Sequence, residues 1–400
     1  MIQRSLGART CLYIFLFTAF VSYLNALLGG KFNGDFSGVN INLDFIQLLG
    51  VFILTCAPFL FLWCVYSLFN RIKFKELDAG QLGFRVSVFF KLFVFWSFFV
   101  TINYGVGIMA KSEYNVPAAI SYIIYFTNRI DVFYLGVLFI LLYQGRFLFF
   151  WIFILCVLGV IRGGIGVFLY VSMALILRYN ITLGKFFFRR PLLCFLALII
   201  SPFVVDSLFY IRELLRGDYI NEQFTFYQLI IGKLIGRFSS FSNLGMIFQN
   251  EGYFLQNTFI MDQFYFVKHF FSAFIGQSII PDIIPERLLI NIFGGDLFDK
   301  SYMVGLSGNM YISSMISPTI MMINLILIFI SVICTFIVAG LIGFKYSREY
   351  AFALLLYPCM SGSAQEFAKL LLSMLFIMLI LASCNIKLKI KRGFAGGERV

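Results

Sequence analysis

The sequence predicts an all-α fold: a polytopic integral membrane protein of about ten transmembrane helices with one large external loop containing amphipathic helices. Three observations carry this. Hydrophobic residues make up 61% of the 400-residue chain and charged residues only 12%, a balance that would leave a soluble domain with large apolar patches in water. The apolar residues fall in membrane-length runs. A single long segment, 210–318, interrupts them with polar residues, which divides the chain into an N-terminal membrane region (1–209, about seven spans), the loop (210–318), and a C-terminal membrane region with a basic tail (319–400).

The first apolar run, Cys11 to Leu28, follows Arg4 and Arg9. It exceeds the roughly 7–15 residues of a signal-peptide core and reads as a retained span. Spans at about 45–69 and 87–109 flank "RIKFKELDAGQLGFR", and a fourth, at about 118–143, contains Arg129 and Asp131. That pair suits a structural lock and a functional site equally. The run from Phe147 to Tyr179 is too long for one helix at about 1.5 Å per residue across a core of about 30 Å, so two short spans with a turn at Arg162-Gly163-Gly164 are expected. Further spans are expected at about 192–209, 319–344, 350–362 and 366–384.

Charge placement orients the array. With both termini inside, 19 of the 31 basic residues fall on the inner side, whereas the short outer loops hold only Lys31, Lys111 and Arg162, as the positive-inside rule requires. The net charge of +12 therefore reports orientation, and no nucleic-acid partner is inferred from it. All eight cysteines lie in apolar runs, so no disulfide framework is implied. With one histidine and no CxxC, no metal site is expected. No P-loop or Rossmann fingerprint is present, and no cofactor is expected. "GLSGN" at 305–309 misses the GxSxG nucleophile elbow at its last position. The GxxxG spacings at Gly159/Gly163 and Gly232/Gly236 fit close helix packing.

In the long loop seven basic residues face nine acidic ones, and loops of this length are seldom passive. Apolar residues between Phe224 and Phe241 recur at three- and four-residue steps, as in an amphipathic helix at the membrane surface. Lys233 and Arg237 share one face of it and suit a phosphate or pyrophosphate. They suit a solvated face or anionic headgroups as well. Arg212 and Arg216, also four apart, leave the seventh span, where basic residues commonly snorkel. Arg162 is more informative. A charge within an apolar run is costly unless it is paired or faces a cavity, and the two glycines after it permit close approach. Loop aromatics such as Phe226, Tyr253 and Tyr265 can stack on sugar rings or pack the loop against the membrane.

Three stretches carry a family resemblance. "LGVIRGGIGVFLYV" resembles the arginine-glycine helix start of O-antigen polymerases and ligases, and "FYQLIIGKLIGRFSSFSN" with "GLSGNMYIS" resembles the periplasmic-loop helix and following stretch of the polymerase branch. The likeness extends to the topology of about ten spans around one late loop. Some polymerases carry an arginine with a glycine eleven residues later, and no arginine here has one.

The resemblance implies a glycosyltransferase of the inner membrane. It would move a growing glycan from undecaprenyl diphosphate to the non-reducing end of a lipid-linked repeat unit at the periplasmic face. The partners it implies are the undecaprenyl-diphosphate-linked oligosaccharide, the lipid bilayer and a chain-length regulator protein. Arg162 and Arg237, with Arg212, Arg216 and Lys233 in support, would hold the diphosphate. His269, Glu213 and Glu251 are the candidates for a base. No metal is implied, since the DxD pattern is absent and Asp296 and Asp299 stand three apart. The competing readings are an O-antigen ligase using His269, a transferase with its acid at Asp35 or Asp44, and a lipid-linked oligosaccharide flippase or other transporter.

Overall fold

The structure, a computed structural model, describes residues 2–72, 74, 79–108, 116–162, 164, 166–190, 235–236, 238–292 and 303–394, with isolated positions between 192 and 210. Fifteen α-helices are defined among the described residues. Those of the N-terminal region are α1 (Ile2–Gly29), α2 (Phe45–Phe69), α3 (Ala79–Tyr104), α4 (Ala118–Thr127), α5 (Val132–Leu142), α6 (Leu148–Ile161) and α7 (Gly166–Arg189). The loop contributes α8 (Phe241–Gln249), α9 (Glu251–Asn257), α10 (Tyr265–Ile275), α11 (Pro285–Asn291) and α12 (Leu306–Ile316). The chain then continues through α13 (Pro318–Ile342), α14 (Ser347–Ser361) and α15 (Ala364–Phe394).

The all-α polytopic architecture is as expected, but the span count is not. Against the ten spans expected, five helices among the described residues are long and apolar enough to cross a membrane: Leu6–Gly29, Phe45–Phe69, Gly80–Tyr104, Pro318–Ile342 and Ala364–Ala382. Three shorter apolar helices, Val132–Leu142, Leu148–Ile161 and Gly166–Asn180, accompany them.

The breaks have local causes. The run at 118–143 divides because Asp131 adopts an extended conformation and its carboxylate accepts from Phe133 N at 2.7 Å, capping α5. Such a cap satisfies a backbone donor at a helix start and fixes where the helix begins. The run at 147–179 divides at Arg162, as expected. α14 is only 15 residues long and ends at Gly362, whose φ of +73° gives a left-handed C-cap, a conformation glycine adopts without side-chain cost. The expected span at 192–209 falls mainly outside the described residues.

The third span begins earlier than expected, because Ala79–Arg85 is already helical. Of the amphipathic helix expected over 224–241, only residues 235–236 and 238–241 are described; residues 239 and 240 are irregular, and α8 starts at Phe241.

α1, α2, α14 and α7 pack as one group, α3, α5, α6 and α7 as a second, and α13, α15 and α10 as a third. One contiguous buried core joins them, with the whole inner length of α14, Tyr350 to Leu356, excluded from solvent. At the inner end Arg348 donates to the Asn70 side chain at 3.2 Å and to Ile72 O, tying the α2–α3 turn to the start of α14. The loop helices are threaded into this bundle. Thr18 Oγ1, midway along α1, donates to Phe238 O at 3.1 Å, and Ser307 Oγ donates to Leu54 O in α2. Gly305 N donates to Ser361 O at 3.1 Å.

Candidate functional site

The site is built where incomplete helices end. Arg162 is the C-cap of α6. Its Nε donates to Thr101 Oγ1 at 3.0 Å, close to the end of α3. Gly107 lies over the same guanidinium: a Cβ there would stand 3.0 Å from Arg162 Nε and 3.1 Å from Cζ, at a φ of +88°. Arg162 thus rests on a hydroxyl and a bare backbone, an approach that only glycine permits.

No carboxylate among the described residues comes within 4.0 Å of the Arg162 guanidinium, and its two terminal nitrogens make no hydrogen bond to them. Asp131 attracts it from beyond contact distance. The side chain borders a narrow recess between α3 and α4, with Trp96, Ser97, Thr127 and Asn128 in its wall. Trp96 is held there by its indole N–H, which donates to Thr127 Oγ1 at 2.8 Å.

From Asp131 the polar cluster continues along α15. Ser373 Oγ accepts from Asp131 N at 2.8 Å and donates to Arg129 O at 3.0 Å, so one hydroxyl stitches both sides of the α4–α5 break. Asp131 also feels Glu366 and Lys369. Glu366 accepts from Tyr134 Oη at 3.2 Å and pairs with Lys369 at 3.5 Å, one turn further on. Tyr134 meets Tyr170 edge-on at 5.4 Å, and Tyr170 meets Tyr357 at 5.6 Å. The aromatic wall and the charges therefore share one face.

His269, on α10, approaches the cluster from the loop. Burial pushes its imidazole below the usual histidine range; Glu286 and Glu366 pull it up, and Lys369 and Arg287 push it further down. A histidine so placed is neutral near pH 7 and able to accept a proton. Glu286 is buried behind it, with one carboxylate oxygen facing Asn309 Nδ2 at 3.5 Å and the other without a hydrogen-bond partner among the described residues. Asn309 Nδ2 also donates to Gly362 O at 3.0 Å, and Tyr265 Oη donates to Asn309 Oδ1 at 3.1 Å.

Of the residues singled out in the sequence, Arg162 feels the charge of Asp131, Asp131 that of Glu366 and Lys369, and these two reach His269, in each case without contact. Glu251 is held elsewhere, accepting from Tyr311 Oη at 2.9 Å at the start of α9. Arg212, Glu213, Arg216, Lys233 and Arg237 lie outside the described residues. Gly236, beside Arg237, presses on the α1–α2 loop, where a Cβ would meet Gly34 N at 2.2 Å. Asp35 of that loop faces Asn243 Nδ2 at 3.5 Å, while Asp44 caps α2.

Sequence reading missed Glu366, Lys369 and Glu286. The usable signal was a Glu and a Lys three apart inside an expected span, since ionisable residues at membrane depth mark functional sites by default. Compared with protein-family models, curated proteins and solved structures, the chain finds no match in any of the three.

Proposed function

We propose that this protein is a membrane glycosyltransferase of the O-antigen polymerase kind. It moves a growing glycan from undecaprenyl diphosphate to the non-reducing end of a lipid-linked repeat unit at the periplasmic face of the inner membrane. The observation that carries this reading is Arg162: a cation at the edge of a recess whose terminal nitrogens bond to none of the described residues, with no carboxylate among those residues in contact. Such a group suits an anionic ligand, and a planar guanidinium suits a diphosphate in particular.

In the transfer, the acceptor hydroxyl oxygen attacks the anomeric carbon of the donor. The bond from that carbon to the diphosphate oxygen breaks, and the diphosphate leaves with its electron pair. Arg162 stabilises the charge that grows on the leaving group. The hydroxyl proton goes to a base within the same cluster. Glu366 and His269, each of which feels the other's charge, are the candidates this reading favours, whereas Glu251 is engaged by Tyr311. Arg237 and the other loop cations keep the supporting role that the family resemblance implies, and a chain-length regulator is the protein partner it implies.

The ligase reading draws on one specific observation, that His269, on a helix packed along α15, feels the charges of Glu366 and Lys369. It differs only in acceptor, which would be the lipid-anchored core in place of a repeat unit. Deleting the gene and restoring it as wild type or Arg162→Ala separates the readings. Under the polymerase reading the deletion leaves core plus one repeat unit on the surface, and Arg162→Ala fails to restore the ladder. Loss of charge-assisted hydrogen bonds of about 1.5–3 kcal/mol each corresponds to at least a tenfold slower transfer. Full-length polymer retained on the lipid carrier would identify a ligase, and single units trapped on the inner side would identify a flippase.

A further inference from the structure

We infer that the described loop residues, 238–292 and 303–316, form a re-entrant layer inside the outer half of the bilayer, and that the outward face of α10 is covered by lipid acyl chains. This does not depend on the reaction assigned above.

Depth comes first. Thr18, which binds Phe238 O, is the thirteenth of the 24 residues of the first spanning helix, Leu6–Gly29. At about 1.5 Å per residue it lies roughly 17 Å from either end, near the bilayer midplane. Ser307 donates to Leu54 O, the tenth of the 25 residues of α2. α14 leads to the same level. It returns from the inner end of α13 with only 15 residues, about 22 Å of helix, and its end at Ser361–Gly362 receives Gly305 N and Asn309 Nδ2. Three segments, near residues 239, 305 and 362, therefore meet below the outer surface. Irregular backbone is tolerated at that depth only where protein satisfies it, as these hydrogen bonds do.

The surface of α10 then identifies its environment. Its inward face buries Tyr265, Phe266, Phe270 and Ala273. Its outward face shows Phe271 at 43% and Ile275 at 64% exposure, with Phe264 at 49% just before the helix. The one charge on that face, Lys268, is bonded to Asp262. Large apolar side chains exposed together in this way mark a surface that contacts protein or membrane. α10 lies along the spanning helix α15 and touches α13, whose own exposed surface, Met322 and Ile326, is equally apolar. The α10 stripe extends that lipid-facing surface, which selects acyl chains over water.

The test is tryptophan fluorescence of the full chain in phosphatidylcholine vesicles. Phe271→Trp and Ile275→Trp are each compared with the wild type, so that the added emission is read by difference. Phe329→Trp on the exposed side of α13 serves as the lipid-facing reference. Vesicles with brominated acyl chains are expected to quench the added emission at 271 and 275 to the same extent as at 329, and aqueous iodide is expected to leave all three unchanged. Quenching by iodide without quenching by bromolipid would overturn the inference and restore a water-exposed cap. Protection from both quenchers, with a dimer in sedimentation, would overturn it in favour of a second copy of the chain covering this face. The two substitutions sit at exposed positions a turn apart, so failure of one to fold leaves the other to decide.

Discussion

Gly362→Ala is expected to destabilise the protein by about 2–5 kcal/mol, and the geometry shows where that comes from. Gly362 has a φ of +73°, a left-handed conformation that costs an ordinary residue roughly 1–2 kcal/mol. A Cβ at this position would stand 2.2 Å from the Gly305 carbonyl carbon, 2.4 Å from its oxygen and 2.5 Å from Leu306 N. These are backbone atoms, which cannot rotate away as a side chain can, and overpacking of this kind typically costs about 1–3 kcal/mol more. Gly305 has no room to retreat. Its N–H is bonded to Ser361 O at 3.1 Å, and on its other side a Cβ would already stand 2.5 Å from Ser240 Cβ. Gly30→Ala isolates the first term, because Gly30 has a φ of +62° with nothing within 4 Å of its Cβ position. The assay is thermal denaturation of the detergent-solubilised chain, followed by loss of the monodisperse peak in fluorescence-detected size exclusion. At roughly 2–4 °C per kcal/mol, Gly362→Ala should melt several degrees below Gly30→Ala. Equal melting of the two variants would refute the convergence of residues 239, 305 and 362.

Three further outcomes are expected. Gly107→Ala should lower transfer activity and melt about as far below wild type as Gly30→Ala does, since its φ of +88° carries the same cost of roughly 1–2 kcal/mol and the new Cβ meets the Arg162 guanidinium, the far end of a flexible side chain; a collapse of the fold with no separate loss of activity would count against that placement. His269, whose imidazole is held below its ordinary value of 6.5, gives a signed pH effect. Between its folded value and 6.5 the unfolded chain binds more protons, so stability rises with pH up to about 6.5 and is flat above it. Wild type should therefore melt lower at about pH 5.5 than at about pH 7.5, and His269→Gln should narrow that gap; an unchanged gap would place the acid sensitivity elsewhere. Asp262→Asn should destabilise by more than about 1 kcal/mol, because on a lipid-covered face it leaves the Lys268 ammonium without its partner. A smaller loss on thermal denaturation would place the bridge in water.

The apolar runs that became α1, α2 and α13 were legible because length and hydropathy alone determine such helices. Arg162 was legible for the complementary reason, a charge in a run that could not otherwise accommodate one. The break at Asp131 was not, although the residue itself was noticed. A span-length average treats Asp131 as a tolerated impurity, whereas locally it is a cap whose backbone is tied to Ser373, 242 residues away in the chain. Glu366 and Lys369 were hidden in the same way inside an expected span. The threading of the loop rests on contacts such as Thr18 to Phe238, 220 residues apart, and no periodicity within the loop encodes such a contact. The structure gives the reason for the first glycine of "GLSGN": only a residue without a side chain fits between Ser240 and Gly362.

The short helices and the charges explain one another. A helix that stops inside the bundle leaves backbone donors or acceptors that must be satisfied there. Asp131 meets that need for α5, Ser373 for both sides of the α4–α5 break, and Asn309 for the end of α14. These groups are consumed by structure, so their polarity needs no ligand to account for it. Glu366 and Lys369 are partly consumed, by Tyr134 and by each other. Arg162 is different. Its Nε is used by Thr101, its backbone N–H closes α6 by donating to Leu158 O, and its side chain lines the recess with no carboxylate among the described residues within 4.0 Å. A packing role would be served by a side chain that ended at Nε. The remaining donors are used by none of the described residues, and they are the groups a diphosphate would engage.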